Sequence, residues 1–85
     1  MDEGRAVDRA GAMDEAGRLI AAVEEGSLEA ESFLLHPYLH WTEGPLRLRG
    51  RVKVLAHLAG RSSLARPESY ELRDGQIYRW VGPPA

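Results

Sequence analysis

Tyr70-Glu71-Leu72-Arg73-Asp74-Gly75-Gln76-Ile77-Tyr78-Arg79-Trp80-Val81 reads as two short strands folded back on an Asp-Gly turn. Glycine reaches positive φ without a side-chain clash and aspartate tolerates it better than most residues, so this pair suits a tight hairpin. The stretch puts a β-hairpin near the C-terminus and argues against a purely helical chain. Two registers are open. If Asp74 and Gly75 alone make the turn, Leu72 faces Ile77 and Tyr70 faces Arg79, and Tyr70, Leu72, Ile77 and Val81 share a face. If Arg73 and Asp74 turn with Gly75 as a bulge, Tyr70, Leu72, Tyr78 and Trp80 share one instead. The first pairs two apolar residues and is preferred. It leaves Tyr78 and Trp80 on the opposite face as interface residues for another subunit.

Working upstream, Arg61 to Glu68 is a polar connector, and before it Val54, Leu55 and Leu58 follow helical spacing from Arg51 to Ala59, closed by Gly60. Tyr38 to Thr42 alternates, with Leu39 and Trp41 on one side, and Leu46 to Arg49 returns as its partner after the Glu43-Gly44-Pro45 bend. A short helix is expected from Leu28 to about Leu35, with Ser27 as cap and Pro37 as stop. Met13, Ala16, Ile20 and Val23 mark an amphipathic first helix ending before Gly26. Residues 1–11 have no clean apolar face and read as a flexible lead-in, leaving 12–85 as a single domain.

A chain of 85 residues buries a small core, and without cysteine it has neither disulfides nor thiolate metal sites to reinforce it. A second subunit is therefore expected. The net charge of −2 conceals an asymmetry: residues 1–31 carry nine acids and three bases (−6), residues 32–85 four acids and eight bases (+4). Such halves attract within or between molecules. Lys53 is the one lysine among eleven bases, which with abundant alanine and glycine points to a GC-rich bacterial source. Met1 is followed by Asp2 and Glu3, and no apolar run reaches membrane-spanning length, so a cytoplasmic chain with no membrane partner is expected.

The order helix, helix, strand pair, helix, strand pair resembles the nuclear transport factor two-like superfamily, in its SnoaL-like branch of polyketide cyclases and ketosteroid isomerase. Four phrases carry the resemblance: Glu25-Gly26-Ser27-Leu28-Glu29 between the first helices; Leu35-His36-Pro37-Tyr38-Leu39-His40-Trp41 entering the first strand; Gly50-Arg51 with Val54-Leu55-Ala56-His57-Leu58; and Leu72 to Trp80 in the late hairpin. It implies an α+β domain in which three helices pack on a small curved antiparallel sheet, a cystatin-like α+β roll. A complete member has about six strands, whereas only about four fit here, so a reduced cone is expected.

The resemblance also implies that Leu39, Trp41 and Glu43 look into the cone. In several enzymes of the superfamily an acid immediately before a proline at this strand end shuttles protons, but here Gly44 separates Glu43 from Pro45. A carboxyl at a partly apolar cavity mouth would have a raised pKa suited to that task. His57, beside the apolar stripe of its helix, is a second catalytic candidate. Leu39, Trp41, Leu55 and Tyr70 are the candidate ligand-binding residues, against the plainer reading that strand aromatics fill a core or an interface.

His36 and His40 followed by Glu43 suggest a metal site, but Pro37 breaks the helix that would bring the histidines together, and on a strand they stand about 13 Å apart. No metal and no cofactor is expected. Arg47, Arg49, Arg51 and Lys53 form a basic cluster without interleaved aromatics, read as a solvated edge or a partner for the acidic first helix and not as a nucleic-acid site. The combined expectation is a SnoaL-like domain of unassigned activity, dimeric, binding a small apolar ligand. The alternative is a small isomerase or cyclase using a carboxylate for proton transfer next to a carbonyl.

Overall fold

The computed structural model describes residues 14–83, so the lead-in at 1–11 and the start of the first helix at Ala12 and Met13 lie outside the described residues. Helix α1 spans Glu15–Glu25. Asp14 caps it by accepting the Gly17 N–H at 2.7 Å, which satisfies one of the orphan donors of the first turn. Arg66 Nη2 lies 2.6 Å from the same carboxylate and ties the helix start to the far connector. Gly26, at φ +75°, ends the helix in the left-handed conformation that glycine reaches most cheaply. Ala16, Leu19, Ala22 and Val23 form the buried stripe.

The helix expected from Leu28 to Leu35 does not form. Residues 28–31 are turns, followed by a 3₁₀ turn at Ser32–Leu34. The hydrogen bonds from Ser32 N–H to Glu29 O and from Leu34 N–H to Glu31 O span three residues, as in 3₁₀ geometry. Glu29 and Ala30 are exposed, so this segment offers little apolar surface to offset the cost of nucleating a helix. Leu35 instead enters the sheet, fully buried.

Strand β1 (Leu35–Glu43) turns through Gly44 and Pro45 into β2 (Leu46–Arg49), antiparallel, with Trp41 opposite Leu48. Helix α2 (Arg51–Leu58) follows, burying Val54 and Leu58. The connector leads to β3 (Ser69–Arg73), which hairpins into β4 (Gln76–Val81). The sheet order is β2-β1-β4-β3. The fold is therefore α+β, with two α-helices among the described residues where three were expected, and its sheet is mixed, because β1 and β4 run parallel. Burial explains the order: β4 carries Ile77 and Trp80, both fully buried, while β3 is largely exposed and belongs at an edge. Pro37, which cannot donate to a ladder, sits where the β1–β4 pairing is interrupted between Leu35 and His40.

The hairpin combines the preferred turn with an unforeseen bulge. Asp74 and Gly75 both take positive φ, 54° and 77°, and Arg73 pairs with Gln76 and Leu72 with Ile77. Tyr78 then stands as an extra residue, so Glu71 pairs with Arg79 and Tyr70 with Trp80. The bulge turns both Ile77 and Trp80 toward the helices. The expected exposed face holding Tyr78 and Trp80 together is thereby corrected. Trp80 is fully buried and stacks on Trp41, with ring centroids 4.7 Å apart and planes within 6°. Around this pair a single core gathers Leu19, Leu39, Leu58 and Leu64. No described helix is long and apolar enough to cross a membrane.

Candidate functional site

Strand alternation fixes the position of Glu43. As the last residue of β1 it follows Leu39 and Trp41 on the helix-facing side, so its side chain reaches toward α2 and the residues just beyond it. There it meets His57, on α2, and Arg61, three residues past the end of that helix. Glu43 Oε1 accepts from the Trp41 indole N–H at 2.9 Å and lies 2.7 Å from His57 Nε2. Arg61 Nη1 lies 3.1 Å from the same oxygen and 3.4 Å from Oε2. A contact of 2.7 Å between a carboxylate oxygen and a ring nitrogen requires a proton on the nitrogen, so His57 donates through Nε2 and keeps Nδ1 for other work. The 3.1 Å approach of Arg61 Nη1 to His57 Nε2 is then two donors converging on one acceptor.

This arrangement reverses the electrostatic expectation for Glu43. Partial burial acts to raise its pKa, but the hydrogen bonds from Trp41, His57 and Arg61, with the Arg61 charge, outweigh it and hold the carboxyl below its ordinary value. With three donors on Oε1, Glu43 is a poor proton shuttle and a good anchor. Behind it lies Gly82, whose N–H donates to Thr42 O at 2.7 Å; a Cβ at Gly82 would stand only 3.0 Å from Glu43 Cγ. The absent side chain gives Glu43 its room.

Next to the cluster is a cleft of about 360 Å³ between the end of α1, the turn after it and the end of α2. Val23, Leu28, Leu55 and Leu58 line it with apolar surface, and Glu29 and Arg61 add charge. Arg61 belongs to both cleft and cluster. Of the candidate ligand-binding residues, Leu55 lines this cleft. Leu39 and Trp41 are sealed in the core. Tyr70 is half-buried against Trp80, and its hydroxyl is held above its usual pKa first by burial and then by Asp14. The catalytic candidates Glu43 and His57 are brought together, both partly exposed, at 22% and 26% of their side chains.

Arg61 and Gly82 were not singled out from sequence. Arg61 stands four residues after His57, a helical spacing that continues past the Gly60 stop, and this was the available signal. Gly82 offered none, since its proximity to Glu43 exists only once β4 lies beside β1. His36 and His40 fall on the opposite face of the sheet, each edge-on to Tyr78 at 5.0 and 5.4 Å, while Glu43 points to the helices. Among the described residues no group of three or more metal-binding side chains comes together. Comparison with family models, with curated proteins and with solved structures gives no match for this chain.

Proposed function

We propose that this chain is a small binding domain of SnoaL-like type that takes a neutral, mainly apolar molecule in the α1–α2 cleft. The observation that carries the reading is the convergence of four apolar side chains with Arg61 around one cleft. At about 360 Å³ it is at the small end of ligand pockets, which run from about 300 to 1,000 Å³. Arg61 uses Nη1 on Glu43 and has further guanidinium N–H groups to offer a ligand. Its charge is already matched by Glu43, and Glu29 adds a negative group at the lining, so a neutral acceptor such as a carbonyl suits the cleft better than a carboxylate. The proposal keeps the cytoplasmic, bacterial setting that the sequence suggests.

Titrating the protein with a neutral aromatic ketone, acetonaphthone, while following backbone amides by NMR tests this. Saturable shifts confined to Leu28, Leu55 and Arg61 are expected, and Leu55→Trp, which fills the cleft, is expected to remove them. Shifts scattered over the surface, or unchanged by the substitution, would count against the cleft.

The 2.7 Å His57–Glu43 contact favours one second reading, proton transfer next to a carbonyl. In it His57 Nδ1 is the base and Glu43 the positioning residue that holds the ring. The same ketone serves: in D₂O its methyl protons should exchange faster with protein than with buffer, and His57→Gln should abolish the gain. Exchange at the buffer rate would dispose of this second reading and leave the binding proposal standing.

Dimerisation through the sheet, the expected assembly, would rest on Tyr78 without Trp80. A two-fold contact there would also set arginines against arginines, since Arg47, Arg49 and Arg79 share that face. We infer that any dimer uses another surface, and sedimentation of the full chain decides whether one forms.

A further inference from the structure

The sheet surface away from the helices collects charge that the sequence leaves scattered. Trp41 and Leu48 pair on the core side, so Arg47 and Arg49 project from the other side of β2. His40 pairs with Arg49 on one flank and with Arg79 on the other. Arg49, His40 and Arg79 therefore form a row across three strands, with the two arginine backbones about 10 Å apart. These residues with Arg47 and Thr42 bound a depression of about 440 Å³. The pKa of His40 lies below the usual value, first through desolvation and then through the neighbouring Arg49 and Arg79 charges.

The bulge adds the aromatic component. Tyr78 turns to this outer face, where the Arg73 guanidinium lies 4.1 Å from its ring centroid. Tyr38, two residues before His40, is 68% exposed. Among the described residues, opposing charges on the face are few: Glu71 stands 3.6 Å from Arg79, and Asp74 lies at the turn near His36. In sequence, Arg47 and Arg49 stand apart from any aromatic, which is why no nucleic-acid partner was expected. The strand order supplies Arg73, Arg79, Tyr38 and Tyr78 to the same surface.

We propose that this outer sheet face binds single-stranded nucleic acid, with Arg47, Arg49 and Arg79 on backbone phosphates and Tyr38 as the platform on which a base stacks. The argument is charge complementarity: a chain of net charge −2 segregates four arginines onto one face, and guanidinium forks match phosphate oxygens. The arginine row spans three strands, an extent that suits successive phosphates of a strand better than one isolated anion. The exposed tyrosine beside it gives the sequence-tolerant stacking that single strands use. This face is separate from the α1–α2 cleft, and neither proposal depends on the other.

The test is fluorescence anisotropy of short dye-labelled oligo(U) and oligo(dT) with the full chain across a range of salt. Affinity should fall with salt at a log–log slope of about −2, as three phosphate contacts imply at about −0.7 each. Arg49→Ala and Arg79→Ala should each weaken binding and take about 0.7 from that slope. Tyr38→Ala should weaken binding roughly fivefold or more with the slope unchanged. Lys53→Ala, an equal loss of charge on the exposed side of α2, should leave both as they were. Absence of binding at the lowest salt, binding that survives Arg49→Glu with Arg79→Glu, or binding of a free mononucleotide but of neither oligonucleotide would each overturn the proposal.

Discussion

Glu43 shows how one side chain acquires a role from its neighbours. It terminates a strand, so alternation aims it at α2, and there it accepts from three donors at a single oxygen. Hydrogen bonds to a charged group contribute about 1.5–3 kcal/mol, and removing the acceptor leaves the buried Trp41 indole N–H unsatisfied. Glu43→Ala should therefore destabilise the fold by about 2–3 kcal/mol, measured by chemical denaturation, with Glu43→Gln costing less because the amide oxygen still accepts. The pH dependence has a definite sign. The folded pKa lies below the ordinary 4.5, so the ionised carboxylate's contribution is complete above that value and is lost as pH falls through the folded pKa. Below about pH 5 the melting temperature should decline more steeply in the wild type than in Glu43→Gln. Equal slopes in the two proteins would show that this carboxylate is not what acid attacks. Asp14, whose burial acts to raise its pKa, is held below its ordinary value by the Gly17 N–H and by Arg66, and its protonation adds to the loss of stability in acid.

At the level of elements, two glycines show two different constraints. Gly75 sits at φ +77° with nothing within 4 Å of a would-be Cβ, so Gly75→Ala is limited only by backbone conformation, at about 1–2 kcal/mol. Gly82 has no such φ but faces Glu43 and Thr42 at 3.0 and 3.3 Å, so Gly82→Ala overpacks the cluster, at about 1–3 kcal/mol. The costs differ in kind, and urea titration followed by His57 and Arg61 NMR shifts separates them. Gly75→Ala should lower the midpoint and leave those shifts in place; Gly82→Ala should move both. The Asp-Gly turn was readable because turn chemistry is local. The bulge at Tyr78 was not, since it follows from the gain in burying Trp80 against Trp41, a partner thirty-nine positions away. The lost helix at 28–35 teaches the same lesson, its propensity overruled when Leu35 joined the sheet.

For the molecule as a whole, the parallel pairing of β1 and β4 sets what is rigid and what is near what. It places the tryptophan stack at the centre, Gly82 against Glu43, and three arginines across one outer surface. Hydrogen exchange should reflect this order, with β1 and β4 amides slowest and the edge strands β2 and β3 exchanging sooner. Protection of β3 equal to that of β4 would contradict the strand order.

Residues 15–25, 51–58 and the Asp74-Gly75 turn could be assigned before any fold was known, because periodicity, caps and turn geometry depend on neighbours a few positions apart. The acid and the histidine of the cluster were also recognisable as chemistry-bearing residues. Their meeting with Arg61, the lowered Glu43 pKa, the place of β4 beside β1 and the basic outer face all arise from contacts across long stretches of chain. Those contacts are chosen by how Trp41, Trp80 and Leu35 are removed from water together, a balance summed over the assembled core and carried by no single segment.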